Sequence, residues 1–235
     1  KYILVQDQAQ LNDLSNKKFL ITGGSTSESI DPARRFTNNS SGTMGMLLAQ
    51  TARFRGADVT YIHGPLKINR DLVDGIKTIE IETGLDLEIA IKKEIINCDY
   101  FFMNSAVTDV KLSQTNQSKI SKNNLVNYFA NNLELVPDIL KNVVQSKRES
   151  QVFMGFCAYT GDLDNLRRTI KNKFKVKGCE MIFANPIDID GQGFGQDVKN
   201  EGWLFDTNGK ELHIDKTSKI DLANQLINQI ISITK

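Results

Sequence analysis

The chain has 235 residues, of which 40% are hydrophobic and 24% charged, with a net charge of +1. It is long enough to bury a sizeable core, and it has no global field to recruit nucleic acid or an anionic membrane surface. No apolar run approaches the ~20 residues that span a bilayer, and Lys1 to Asp7 lacks a signal peptide's layout. Cys98, Cys157 and Cys179 stand far apart without paired spacing, which argues for reduced thiols, against zinc, and for a cytoplasmic protein.

Residues 1–16 form a lead-in with a weak helical pattern, followed by a strand over about Lys18 to Thr22 that stops at Gly23-Gly24. A long polar loop leads to Ser40-Ser41-Gly42-Thr43-Met44-Gly45, which reads as the opening of a helix capped by the serines. Met44, Leu47, Leu48, Thr51, Ala52 and Phe54 give that helix one apolar stripe, and Gly56 suits the left-handed residue that ends it. Ala57 to His63 is a second strand, so the unit is a parallel, right-handed β-loop-α-β. Thr78 to Glu82 alternates as a third strand, and a helix lies between Gly84 and Asn97. The apolar run Tyr100 to Met103 predicts a central strand.

Ser105 to Asn132 reads as a long irregular tract, of the kind that is functional or mobile. Pro137 to Leu140 starts a helix with proline in its first turn. Val152 to Cys157 and Met181 to Ala184 are further buried strands, separated by a helix capped by Asp162. Gly191, Gly193 and Gly195 mark a glycine-rich loop. Asn208-Gly209 turns a late β-hairpin, and a last helix begins near Ser218. Strand and helix alternate throughout, so the expected fold is a single α/β domain over 1–235, Rossmann-like, with a mostly parallel sheet and helices on both faces.

A strand ending in glycines and feeding a helix N-terminus is a phosphate cradle. The loop does not match G-x-G-x-x-G, no acidic residue closes the second strand, and no G-x-x-x-x-G-K-[ST] is present. A short-chain-dehydrogenase-like oxidoreductase would need a Tyr-x-x-x-Lys pair, and no tyrosine here is followed by lysine at that spacing. A non-catalytic nucleotide-binding module stays open on motif grounds. Lys173 and Lys177 are four apart and share a helix face, where they could clamp a polyphosphate or simply be solvated. His63 and His213 have no partner at catalytic spacing.

The run Asp31-Pro32-Ala33-Arg34-Arg35-Phe36-Thr37-Asn38-Asn39-Ser40-Ser41-Gly42-Thr43-Met44-Gly45, preceded by Ile21-Thr22-Gly23-Gly24, resembles the signature of phosphopantothenate–cysteine ligases. The resemblance continues through Ser105 to Asp109, Lys119, Pro137 to Ile139, Gly155-Phe156, and Lys177 to Asn185. It implies a coenzyme A biosynthesis enzyme that activates 4'-phosphopantothenate with CTP (or ATP) and Mg²⁺. An acyl-nucleotidyl intermediate and pyrophosphate form, and L-cysteine then closes the amide. The metal rides on the triphosphate rather than on protein side chains. No flavin is expected, since the chain is too short for the fused flavin-dependent half and resembles the free-standing ligase. A homodimer is implied, through the hairpin at Trp203 to Ile214 or the tract after Ser105.

By the same resemblance Asn38, Arg34 and Lys119 are the catalytic candidates. Asn38 would hold the acyl phosphate as a neutral donor, Arg34 would meet a carboxylate or phosphate, and Lys119 would ride on a flap over about 105–132. The nucleotide would contact Met103, Asn104, Ser105, Asp109, Lys119, Pro137, Asp138, Ile139, Leu140, Phe156, Lys173 and Lys177. The phosphopantothenate or acyl phosphate would contact Gly23, Gly24, Asn38, Ser40, Ser41, Gly42, Gly45 and Ala106. Tyr159, Val136 and Thr108 to Lys111 depart from the residues usual in the family, which leaves the nucleotide preference open.

Overall fold

The first strand, β1 (Lys18–Gly23), is buried at every position after Lys18, because helices cover the sheet on both faces. A computed structural model describes residues 12–66, 70–189 and 199–233; the glycine-rich stretch at Gly191, Gly193 and Gly195 and most of the lead-in lie outside them. After β1 the chain forms β2 (Ser27–Asp31), β3 (Arg34–Thr37), α1 (Thr43–Phe54), β4 (Asp58–His63) and β5 (Lys77–Glu80). Then come α2 (Gly84–Glu94), β6 (Tyr100–Met103), β7 (Val110–Leu112), α3 (Lys122–Asn132), β8 (Leu133–Leu135) and α4 (Ile139–Val144). The chain ends with β9 (Val152–Tyr159), α5 (Leu163–Lys177), β10 (Met181–Pro186), β11 (Lys199–Asp206), β12 (Glu211–Ser218) and α6 (Lys219–Ile231).

One eight-stranded sheet runs in the order β12-β11-β10-β9-β6-β1-β4-β5. The six strands from β10 to β5 are parallel, and β11 and β12 add as an antiparallel pair joined by the turn at Gly209, whose φ is 84°. The architecture is Rossmann-like, with its switch point between β1 and β6, where the chain stops building outward through β4 and returns. Alternate residues of the strands feed two cores. Phe19, Ile21, Phe102 and Phe183 pack under α1 and α6, while Leu20, Phe101, Phe153 and Ile182 pack under α2, α4 and α5. Among the described residues no helix is long and apolar enough to cross a membrane.

Four expectations need correction. The polar stretch after Gly24 is not a loop: β2 and β3 pair as an antiparallel hairpin. The tract from Ser105 to Asn132 is not irregular either. Its β7 pairs with β8 around α3, and Leu112, Ile120 and the α3 residues Leu125, Tyr128 and Phe129 enclose Ile30 and Phe36 of the hairpin in a small third core. Finally, Ser40 and Ser41 do not cap α1. Gly42 holds the N-cap position with φ 80° and no side-chain cap, while Pro137 precedes α4 and Asp138 caps it.

The close approach of α1 to the end of β1 requires Gly45. A Cβ there would lie 2.9 Å from both the Gly23 Cα and the Thr22 carbonyl oxygen. Backbone on both sides leaves no side chain to yield, so Gly45→Ala is expected to destabilise the fold by about 1–3 kcal/mol. Urea unfolding followed by circular dichroism measures this as a lowered midpoint at unchanged slope.

Candidate active site

The carboxyl edge of the parallel strands is where this architecture leaves room for a ligand. Here the chain after β1 does not stay open as a cradle. Thr26 N–H donates to the Ala106 carbonyl (3.2 Å), Ala106 N–H to Gly24 (2.9 Å), and Thr108 N–H to Thr26 Oγ1 (2.9 Å). Thr22 Oγ1 accepts from the N–H groups of Asn104 (3.0 Å) and Ser105 (3.1 Å). The two segments are thereby zipped together across the switch point. Beside this seam a cavity of about 750 Å³ runs from the α1 side of the sheet to the α5 side.

Asn38, Ser40, Ser41 and Gly42 form one wall. The Asn38 Nδ2 donates to the Val107 carbonyl (2.9 Å), which ties the exit of the β2–β3 hairpin to the seam and leaves a second N–H on the same nitrogen. The first turn of α1 presents its amides with no acidic residue in that turn, and Ser41 Oγ lies 2.8 Å from Thr43 Oγ1. A helix N-terminus without its own counter-charge is a binding place for an anion.

Across the strand ends stand Met103, Asn104, Ser105, Ala106 and Asp109, then Pro137, Asp138, Ile139 and Leu140 at the start of α4, with Lys173 and Lys177 on α5. Lys177 pairs with Asp138 at 2.5 Å. Burial opposes ionisation of Asp138, yet the Lys177 hydrogen bond, the Lys141 N–H and the nearby Lys173 hold its carboxyl below the ordinary value. Lys173 and Asp109 make no ion pair among the described residues, and both are available to a ligand. Cys157 also lines this side; burial raises its thiol pKa, against the pull of Lys173 and Lys177. Phe156, half-buried, lines the cavity as well and makes a T-shaped contact with Phe183 at 5.9 Å.

Five anticipated residues are placed elsewhere. Gly23, Gly24 and Gly45 lie behind the cavity wall: Gly23 packs under the Tyr61 ring, Gly24 against the Gly64 backbone, and Gly45 on Gly23. They serve close packing, a demand that leaves the same letters in the sequence as a phosphate loop. Arg34 does not line the cavity; it binds Asp31 and donates to the Ile120 carbonyl (2.7 Å). Asp31 in turn accepts the Ile120 N–H (3.2 Å) and the Ala33 N–H (2.8 Å), so the pair grips one peptide-bonded residue from both ends. Lys119 sits next to that grip, exposed, outside the cavity wall. Reading the sequence missed Asn200 and Lys219, two buried residues of the lining contributed by β11 and α6. Nothing local marks them; only the order of strands brings them to this edge.

Residues 14–233 match the family described as the DNA/pantothenate metabolism flavoprotein C-terminal domain. The chain belongs to that family. It is 34% identical over 217 residues to the coenzyme A biosynthesis bifunctional protein CoaBC of Vibrio cholerae, covering 92% of this chain and 53% of that protein. It therefore spans about half the length of the curated relatives it matches. The crystal structure of a CoaBC C-terminal domain superposes with a TM-score of 0.76 at 29% identity, over 94% of this chain and 98% of that one. A Cab2 mutant solved in complex with phosphopantothenate-cysteine shares the fold, with a TM-score of 0.72 at 17% identity over 93% of this chain and 86% of that one.

The grip on Ile120 has a pH signature. Arg34 chiefly, against the cost of burial and with help from the Ala33 and Ile120 amides, lowers the Asp31 pKa from 3.8 to about 2. A depressed carboxylate contributes stability that is present above its unfolded pKa and lost as pH falls through the folded one. The melting temperature is expected to drop on acidification between pH 3.8 and about 2, and to drop less in Asp31→Asn, where that contribution is already gone. Scanning calorimetry across that range measures both slopes.

Proposed function

We propose that this chain joins 4'-phosphopantothenate to L-cysteine in coenzyme A biosynthesis, as a cytoplasmic ligase that consumes CTP or ATP and releases pyrophosphate. The observation that carries the reading is a cavity with anion-binding groups on two sides and a neutral amide, Asn38, on its wall. Membership of the family supports it, as does the complex of the Cab2 mutant with phosphopantothenate-cysteine.

A carboxylate becomes an acylating agent only when a phosphoryl group is attached to its oxygen, which requires two anions to meet. Two unit charges ~4 Å apart repel by about 4 kcal/mol at an effective dielectric constant near 20. The α1 amides, Lys173 and Lys177 are placed to offset that repulsion, and Asn38 can donate to the developing acyl phosphate without attacking it. Phe156, as an aromatic residue of the lining, would pack against the base. Among the described residues no group of three His, Cys, Asp or Glu could hold a metal. Mg²⁺ would be carried by triphosphate oxygens, with Asp109 as a carboxylate of the lining outside any ion pair among the described residues, and would neutralise phosphate charge. Holding the reactants in place removes on the order of 7–11 kcal/mol of barrier, which suits a site without an acid–base dyad.

Lys119 completes the triphosphate contacts in this proposal by inward movement of its tract, and Arg34 acts through the position of Ile120. A second copy of the chain would cover the exposed apolar residues Val126 (79% exposed) of that tract and Leu135 (78%) of the adjoining β8.

Pyrophosphate release with CTP, phosphopantothenate and Mg²⁺, with and without cysteine, tests the reading; absence of turnover with both CTP and ATP would remove it. Asn38→Asp is expected to cut turnover by about 10²-fold or more, because it puts a negative charge beside an anionic intermediate. It also sets a carboxylate against the Val107 carbonyl, so melting of the variant should be recorded alongside. Near-normal turnover would show that Asn38 has no part in the chemistry.

A further inference from the structure

Strand β4 places Tyr61 beside Ile21 of β1, in the core that packs under α1. The residue is fully buried, with its ring tilted against that of His63 at a centroid distance of 5.2 Å. Packing alone would be served by phenylalanine, since a buried hydroxyl costs stability unless it is hydrogen-bonded. The Tyr61 hydroxyl stands over Gly23, where a Cβ would collide with it, and donates to the Gly42 carbonyl at 3.3 Å. Burial pushes the Tyr61 pKa above its ordinary value, so the hydroxyl keeps the proton that it donates.

Gly42 is the N-cap of α1, and its carbonyl also accepts the Met46 N–H at 3.0 Å. That oxygen therefore takes two donors, one from the helix and one from the sheet. The peptide from Gly42 to Thr43 is trans and planar, so whatever fixes its oxygen also fixes the direction of the Thr43 N–H on the opposite side. Gly42 and Thr43 both line the cavity. Ser41 Oγ accepts the Thr43 N–H at 3.4 Å, which is long for such a bond, as the Tyr61 contact is for a hydroxyl donor. Gly42 itself, left-handed at φ 80°, has no Cβ to restrain the peptide against rotation.

The two ends of this amide are electronically linked. A donor on the Gly42 oxygen makes the Thr43 N–H a stronger donor. An anionic acceptor on the Thr43 N–H makes the oxygen more negative and tightens the Tyr61 bond. We infer that Tyr61 is a positioning residue of this site, whose hydroxyl holds the Gly42–Thr43 peptide so that the Thr43 N–H meets a phosphate oxygen of one substrate. Tyr61 touches no substrate itself. The inference rests on the ligase reading, in which the α1 amides face an anion, and adds the side chain that sets their direction.

Tyr61→Phe removes one oxygen and keeps the ring, and the Gly42 carbonyl still has the Met46 N–H. The experiment is calorimetric titration of the full chain and of this variant with two probes, each alone: CTP with Mg²⁺, and 4'-phosphopantothenate. One probe is expected to weaken by about three- to tenfold, the worth of one ordinary hydrogen bond, while the other changes by less than about twofold. The ¹H–¹⁵N signal of Thr43 should shift with that same probe, and shift less in the variant. A hydroxyl that serves stability alone would lower the melting temperature and leave both affinities within about twofold, which overturns the inference. Equal weakening of both probes is a general loosening and overturns it as well. If Tyr61→Phe does not fold, the test moves to the unaltered protein with tyrosine labelled at ¹³Cζ. The Tyr61 signal should then shift with the one probe that moves the Thr43 amide, and no shift with either probe overturns the assignment. Should the unaltered protein bind neither probe, the ligase reading fails, and this inference with it; binding that is indifferent to Tyr61→Phe removes the role of Tyr61 alone.

Discussion

The backbone hydrogen bonds that join Gly24–Thr26 to Ala106–Thr108 determine where everything else in the site can lie. They join the segments that leave β1 and β6, the two strands that flank the switch point. The open space lies beside that junction, lined by the ends of β6, β9 and β10 and by the first turn of α1. The seam also anchors Asn38, whose partner Val107 belongs to it. Loosening this junction would move the hairpin exit, the start of the Ser105 tract and the first turn of α1 together.

The large elements were legible because each of them obeys a local rule. Runs such as Tyr100 to Met103 and Met181 to Ala184 are apolar throughout since both faces of a parallel strand are covered, and Asp162 and Ser218 do cap their helices. The small elements were not, since their stability comes from partners far along the chain. Ile30 is the main apolar contribution of β2, and its neighbours are Leu112 and Ile120; α3 has no fully buried residue from which a stripe could be read. For the site, the polar donors of an unusual run, Asn38, Ser40 and Ser41, do come to line the cavity. Gly23, Gly24 and Gly45 do not, because they are needed for contact between backbone segments, and composition does not distinguish that from contact with a ligand. Lys219 and Asn200 come to the cavity by strand order alone.

Charge is distributed so that the cavity is not strongly cationic before anything enters. Asp138 caps α4 through the Lys141 N–H at 3.1 Å and, with the same carboxylate group, holds Lys177. The polyphosphate of the proposed reaction would therefore meet a lysine that already has a partner, and its binding would be an exchange of carboxylate for phosphate. Much of the lysine's desolvation has been met in the folded chain, so the exchange costs less than stripping water from a free ammonium group. On that reading the arrangement would discriminate by valence: a monoanion would merely replace what Asp138 offers, whereas a multivalent chain would engage Lys177 and Lys173 at once and leave Asp138 to its helix. On the proposed reading the pocket would act as an ion exchanger built from one pair, favouring ligands that carry more than one charge.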